Sequence, residues 1–231
     1  MKVAVLGANG FMGRHILRRH PDWVGVSRDI LNLVDQKQVE AFFEKNKFNV
    51  VIHCAVEGGS MLKKENGDVT HNNILMFENV NRVFKGKMLY FSSGAGTQGN
   101  PPTSPYGLSK WIIDQRIRTL QNVYTLRVFG CYGEGDGSSK YRDRFKSICK
   151  NEGHIVIDKD RYFDMVDIED VMNIIDEYVD DKIHGKEIDL VYPKAKKLSE
   201  WATEFGATYK IKDESGLDLP YISNGPRDTF I

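Results

Sequence analysis

The sequence predicts an α/β fold, a doubly wound parallel sheet with a small C-terminal lobe, and three observations carry that prediction. Short apolar runs alternate with segments whose apolar residues recur at helical spacing, which is how a parallel sheet covered on both faces is written. The first run, Val3 to Leu6, passes at once into glycines at 7, 10 and 13 and then into Arg14-His15-Ile16-Leu17 at helical spacing. Finally, 231 residues with 41% hydrophobic and 28% charged side chains suit one large soluble domain, or one domain with an appendage.

The elements follow in order. Helix one runs from about Phe11 to His20, Pro21-Asp22 breaks it, and Trp23 to Val26 forms strand two. Val39, Phe42 and Phe43 lie at i, i+3, i+4 on a helix leading to a strand at Val50-Val51-Ile52. A helix over 69–84 places Ile74, Phe77, Val80 and Phe84 at core spacing and leads to a strand at 87–91. A helix over 105–120 precedes a strand at 123–128. Beyond Phe129 the alternation loosens. Helices near 144–150, 168–178 and 198–205 and strands at 155–157 and 188–191 are expected, and the last twenty or so residues look loop-like. Residues 1–130 are therefore expected to form the main domain, and 131–231 a small lobe that shares its sheet.

Strand, glycine turn and helix together aim backbone N–H groups and a helix's positive end at one point, where glycines admit a pyrophosphate. The G-x-x-G-x-x-G spacing alone fits a plain turn equally well; its place between strand and helix favours a dinucleotide. A second cluster, Gly130, Gly133, Gly135 and Gly137, runs into the polar stretch Ser138 to Arg144 and is expected to form a mobile loop at a site rim.

Equal numbers of basic and acidic residues, 32 each, argue against nucleic acid as a partner. Cys54, Cys131 and Cys149 are too few and too widely spaced for a disulfide framework or a metal site, which fits a reducing compartment. Without a leader-like start or an apolar run of ~18 residues, a cytoplasmic protein with no membrane span is expected. The histidines show no ligand spacing, and His53 reads as a packed core residue.

The second informative stretch is Ser104-Pro105-Tyr106-Gly107-Leu108-Ser109-Lys110. Proline at a helix start, then Tyr and Lys four apart, puts both side chains on one face. A fixed ammonium beside a phenol of pKa ~10 favours the phenolate and brings proton transfer into range near neutrality. Tyr-x-x-x-Lys also occurs at Tyr178/Lys182 and Tyr192/Lys196, so the pattern alone is cheap. Only the first pair follows a strand ending in Ser92-Ser93, as a site at the carboxyl edge of a parallel sheet requires.

These stretches resemble the extended short-chain dehydrogenases/reductases, in particular the branch of sugar-nucleotide epimerases, dehydratases and reductases. The loop Gly7 to Gly13, Val51 to Ala55, Asn72-Asn73, Phe91-Ser92-Ser93, Tyr106 to Lys110 and Leu126 to Gly130 stand in that family's order and rough spacing, over about residues 1–180. The resemblance implies a Rossmann-like fold with Tyr106 as catalytic acid/base and Lys110 as its partner, and a carbonyl-polarising role that either Ser93 takes through a local shift or that is weakened. It implies a cofactor held by Gly7, Asn9, Gly10, Phe11, Met12, Gly13, Cys54, Ala55, Asn73, Tyr106 and Lys110. Asn32-Leu33 matches the family's Asp-hydrophobic pair beside adenine, with Asn for Asp. Arg161, displaced from the family position, and Arg144 are candidate diphosphate ligands.

Departures narrow the reaction. Gly94 stands where the family usually carries its catalytic Ser/Thr, and Ala95 and Gly96 follow, which disfavours 4,6-dehydratases and reductases that also epimerise. Ser27-Arg28 after strand two offers a cation for a ribose 2′-phosphate, so NADP is favoured over NAD. Three functions follow: an NADP-dependent reductase of a 4-keto nucleotide sugar, an NAD-dependent nucleotide-sugar 4-epimerase, or a non-catalytic NADP-sensing protein. The family also implies a homodimer.

Overall fold

A computed structural model describes residues 1–59, 64–133 and 144–227. Gly135, Gly137 and the polar run Ser138 to Asp143, with the cations Lys140 and Arg142, lie outside the described residues.

The chain divides into two units: Met1–Arg127 with Ile175–Ile188, and Val128–Ile174 with Asp189–Ile231. The first unit is built on β1 (Val3–Leu6), α1 (Phe11–Arg19), β2 (Val24–Val26), α2 (Gln36–Lys45), β3 (Val50–His53), α3 (Gly67–Val83), β4 (Lys87–Ser93), α4 (Pro105–Arg118) and β5 (Val123–Val128). A 3-10 turn, Gly94–Thr97, follows β4. The chain returns through the end of α6 (Ile168–Val179) to β9 (Glu187–Leu190).

The six-stranded central sheet has the order β2-β1-β3-β4-β5-β9. β1 pairs in parallel with β2 and β3, and β3 with β4, in a register that sets Leu6 beside His53 and His53 beside Tyr90. β1 and β3 are buried at every position, as their unbroken apolar runs require. Strand order reverses at β1, so the crevice between the carboxyl ends of β1 and β3 is where such a sheet binds its ligand. One face buries Ala4, Leu6, Val51, Met88, Tyr90 and Val123 against α2, α3 and α4. At the end of α1, Arg19 and the capping residue His20 pair with Asp176 of α6.

The second unit holds two small parallel pairs. β6 (Gly130–Tyr132) lies beside β8 (Met165–Asp167), and β7 (His154–Lys159) beside β10 (Thr208–Asp213). With α5 (Phe145–Glu152) and α7 (Leu198–Glu204) they enclose a core around Tyr132, Cys149, Ile157, Trp201 and Phe205. β6, β8 and β10 are additions to what the sequence predicts. Asp164 is 3% exposed and accepts both terminal nitrogens of Arg227, at 3.0 and 2.6 Å, and the N–H of Ser223. Arg227 is thus part of the lobe's internal framework.

Candidate functional site

The loop after β1 has the shape of a phosphate cradle. Gly7 has φ +87°, and a Cβ there would lie 2.7 Å from the Ala55 nitrogen, so the ends of β1 and β3 meet with no room for a side chain. A Cβ on Gly13 would lie 2.4 Å from the Gly7 carbonyl oxygen. Gly10 is the N-cap of α1 and has no side chain to cap its first turn, which presents the helix's positive end to the crevice. These features fit a dinucleotide pyrophosphate. Asn9 is exposed, Met12 half-buried and Phe11 buried against His15.

Around the cradle the predicted residues divide. Arg28 is exposed and stands 3.5 Å from Glu57 Oε1. Asn32 uses its Oδ1 to accept the Val34 N–H, and Leu33 buries its side chain in the core. Asn73 is buried; its Nδ2 donates to the Glu57 carbonyl and to Ser109 Oγ, both at 3.0 Å, while its Oδ1 accepts the Glu57 N–H at 2.8 Å. Its amide ties the loop after β3 to α4 and in that way shapes the site. Cys54 is half-buried, and desolvation of its thiol holds the pKa well above the ordinary value.

Tyr106 and Lys110 come together as their spacing demands. Ser104 caps α4 by accepting the Gly107 N–H, Pro105 opens the helix, and Glu65 Oε2 accepts the Tyr106 N–H at 3.0 Å. Lys110 is 2% exposed, and its Nζ lies 5.6 Å from the centre of the Tyr106 ring. That Nζ donates to the Phe91 carbonyl at 2.7 Å and to the Tyr90 hydroxyl at 2.9 Å. Burial, the chief cause, lowers the Lys110 pKa to about 8, against an opposing pull from Asp114. The other two Tyr-x-x-x-Lys pairs do neither: Tyr178 donates to the Gly185 carbonyl and Lys182 pairs with Asp180, while Tyr192 donates to Asp170 and Lys196 pairs with Glu204.

The two serines ending β4 have different partners. Ser92 donates to Asp114 Oδ2, which also takes the Arg127 guanidinium at 2.9 Å in a buried pair. Ser93 is 8% exposed, and its Oγ accepts the Ala95 N–H at 3.2 Å as cap of the 3-10 turn. In the second unit Arg144 donates to the Cys131 carbonyl, and Arg161 packs over the Phe163 ring with Asp218 4.0 Å away.

Sequence reasoning missed three contributors. Gly59, at φ +79°, sits on the phenol: a Cβ there would lie 2.9 Å from Tyr106 Cζ. Glu65 bridges the Gly59 and Tyr106 N–H groups. Tyr90 holds Lys110. Only Tyr90 had a signal, since it shares a strand face with Met88 and a phenol on a core-facing position needs a polar partner. Among the described residues no cluster of His, Cys, Asp or Glu suits a metal ion, and no helix is long and apolar enough to cross a membrane.

Comparison with known proteins adds to this geometry. The sequence model of the NAD dependent epimerase/dehydratase family matches residues 3–190. UDP-glucose 4-epimerase of Bos taurus is 31% identical over 151 residues, 51% of this chain and 43% of that protein. The mouse enzyme is 30% identical over 142 residues, 51% of this chain and 41% of its own. The chain thus covers less than half the length of these relatives. Among solved structures, dTDP-4-dehydrorhamnose reductase from Bacillus anthracis in complex with NADP superposes with a TM-score of 0.77 at 19% identity, covering 95% of this chain and 88% of that one. GDP-mannoheptose C4 reductase from Campylobacter jejuni with NADP bound gives 0.72 at 15% identity, over 95% and 88%. At these identities the likeness establishes the fold.

Proposed function

The chain belongs to the NAD dependent epimerase/dehydratase family, and from that premise we propose that it is an NADP-dependent reductase of a 4-keto nucleotide sugar. The observation that carries the reading is the buried Lys110 ammonium beside the Tyr106 phenol, on a helix that starts under the loop leaving β3. The glycine cradle would hold the cofactor's pyrophosphate, and Arg28, exchanging Glu57 for an anion, its 2′-phosphate. The bound nicotinamide would supply the hydride for the keto carbon. Tyr106 gives its proton to the ketone oxygen, and Lys110 stabilises the phenolate left behind. Ser93 Oγ polarises the same oxygen, and Arg144 and Arg161 take the substrate's diphosphate. A cytoplasmic homodimer completes the proposal.

Purified protein with NADPH and a panel of nucleotide-linked 4-keto sugars should oxidise NADPH stoichiometrically. Tyr106→Phe should lose at least ~100-fold in kcat, the usual worth of a general acid, with NADPH affinity within twofold. Full turnover in that variant removes Tyr106 from the mechanism. The identity to UDP-glucose 4-epimerases favours a second reading, a 4-epimerase. Tightly retained NAD and sugar isomerisation without net consumption of reductant would select it.

A further inference from the structure

We propose that Tyr90 is the positioning residue that holds the Lys110 ammonium beside Tyr106, a role that rests on reading Tyr106 and Lys110 as the proton-transfer pair. Lys110 is a buried cation with an unusual set of partners. Its Nζ donates to one backbone carbonyl, that of Phe91, and one phenol, Tyr90, and no carboxylate lies within ion-pair distance of it among the described residues. A buried ammonium held by neutral acceptors alone pays heavily in lost hydration. The phenol therefore matters more than a surface hydroxyl would.

The phenol is rigidly presented. Tyr90 is 2% exposed in β4, its ring edge-on to Phe77 at 5.3 Å and to His53 at 5.5 Å. Burial keeps its hydroxyl neutral, with its pKa pushed well above the ordinary value. The Lys110 Nζ sits 4.5 Å from the Tyr90 ring centre and 5.6 Å from that of Tyr106, so the cation lies near two phenol rings and is tethered by the hydroxyl of one. Phenylalanine at 90 would keep that ring and lose the tether.

The sign of the effect follows from the other groups around the ammonium. From its own helix Asp114 favours the charged form, a thiolate at Cys54, just past β3, would do the same, and burial opposes both. His53, from β3, stays neutral near pH 7 because burial holds its pKa at about 4. Tyr90 accepts a charge-assisted hydrogen bond from the ammonium, stronger than the neutral bond it could give to an amine. Removing the hydroxyl thus destabilises the charged form.

The test is an NMR titration of Lys110 in the full chain labelled with 13C-lysine, without substrate, the resonance assigned by Lys110→Arg. In Tyr90→Phe the midpoint should fall by about one pH unit, roughly tenfold in proton affinity, and in Tyr90→Leu, which also removes the ring, further still. NADPH affinity should stay within twofold. With a 4-keto sugar substrate, the alkaline limb of kcat/KM should move down by the same amount as the titration. A Lys110 midpoint equal in wild type and Tyr90→Phe overturns the proposal even if the enzyme turns over. A midpoint that falls as expected in a protein that reduces no keto sugar upholds Tyr90's hold on Lys110 and defeats the proposed reaction instead.

Discussion

His53 is the residue whose position has the clearest thermodynamic consequence. Its ring is 1% exposed, and its Nδ1 has no hydrogen-bond partner among the described residues. Burial, the chief cause, and the nearby Lys110 charge lower its pKa to about 4 from an ordinary 6.5. Between those values the unfolded chain binds a proton that the folded chain refuses, so stability is full above about 6.5 and falls as the pH drops towards 4. From pH 6.5 to 5, above most carboxylate titration, the loss should be about 2 kcal/mol. Urea denaturation at the two pH values checks it, and His53→Phe should flatten the slope. Lys110 works in another window: from about 8 to 10.5 the unfolded chain again binds more protons, so stability rises with pH there. The sequence marked His53 as a core residue from its place at the end of an apolar strand, and Tyr106 as a candidate acid with Lys110 as its partner from their position after the Ser92-Ser93 strand end and from the family resemblance. It could not mark Gly59 or Glu65, whose roles arise only when the loop after β3 is laid on α4.

At the scale of elements, the first half of the chain was the more legible. β1 to β5 and α1 to α4 follow from apolar runs and helical spacing, with ends differing by a residue or two, as fraying predicts. β6 and β8 have three residues each, too short for periodicity, and β10 is mostly exposed, so its partner β7 supplies what its own sequence lacks. The glycine turn yields the element-scale prediction. Gly13→Val forces a side chain into the 2.4 Å gap at the Gly7 carbonyl. It should destabilise the protein by about 1–3 kcal/mol, the usual cost of overpacking, and abolish measurable NADPH binding. Thermal denaturation and fluorescence titration of the nucleotide report the two effects separately, and unchanged binding would mean that the cradle is not the pyrophosphate site.

For the whole molecule, cofactor choice becomes a stability measurement. A ligand at one hundred times its Kd stabilises the folded chain by about 2.7 kcal/mol, which for a chain of this size raises Tm by roughly 5–10 °C or less. With NADPH and NADH at equal concentrations, NADPH should give the larger shift, and Arg28→Ala should remove the difference. A larger shift with NADH would make NAD the cofactor. Neither composition nor the balance of 32 basic and 32 acidic residues hinted at this choice, which rests on one exposed guanidinium and the carboxylate beside it.

The return of the chain to its first unit also sets an order of events during synthesis. β9 lies beside β5 in the central sheet, yet about 60 residues, most of them belonging to the other unit, separate the two strands. On the ribosome, β5 emerges with one flank unpaired and waits on the order of 3–12 s for its neighbour at ordinary elongation rates. During that interval the nascent protein carries an open strand edge able to pair with another chain. Slow translation between those two strands should therefore increase aggregation of newly made protein, while leaving the mature protein's equilibrium stability untouched.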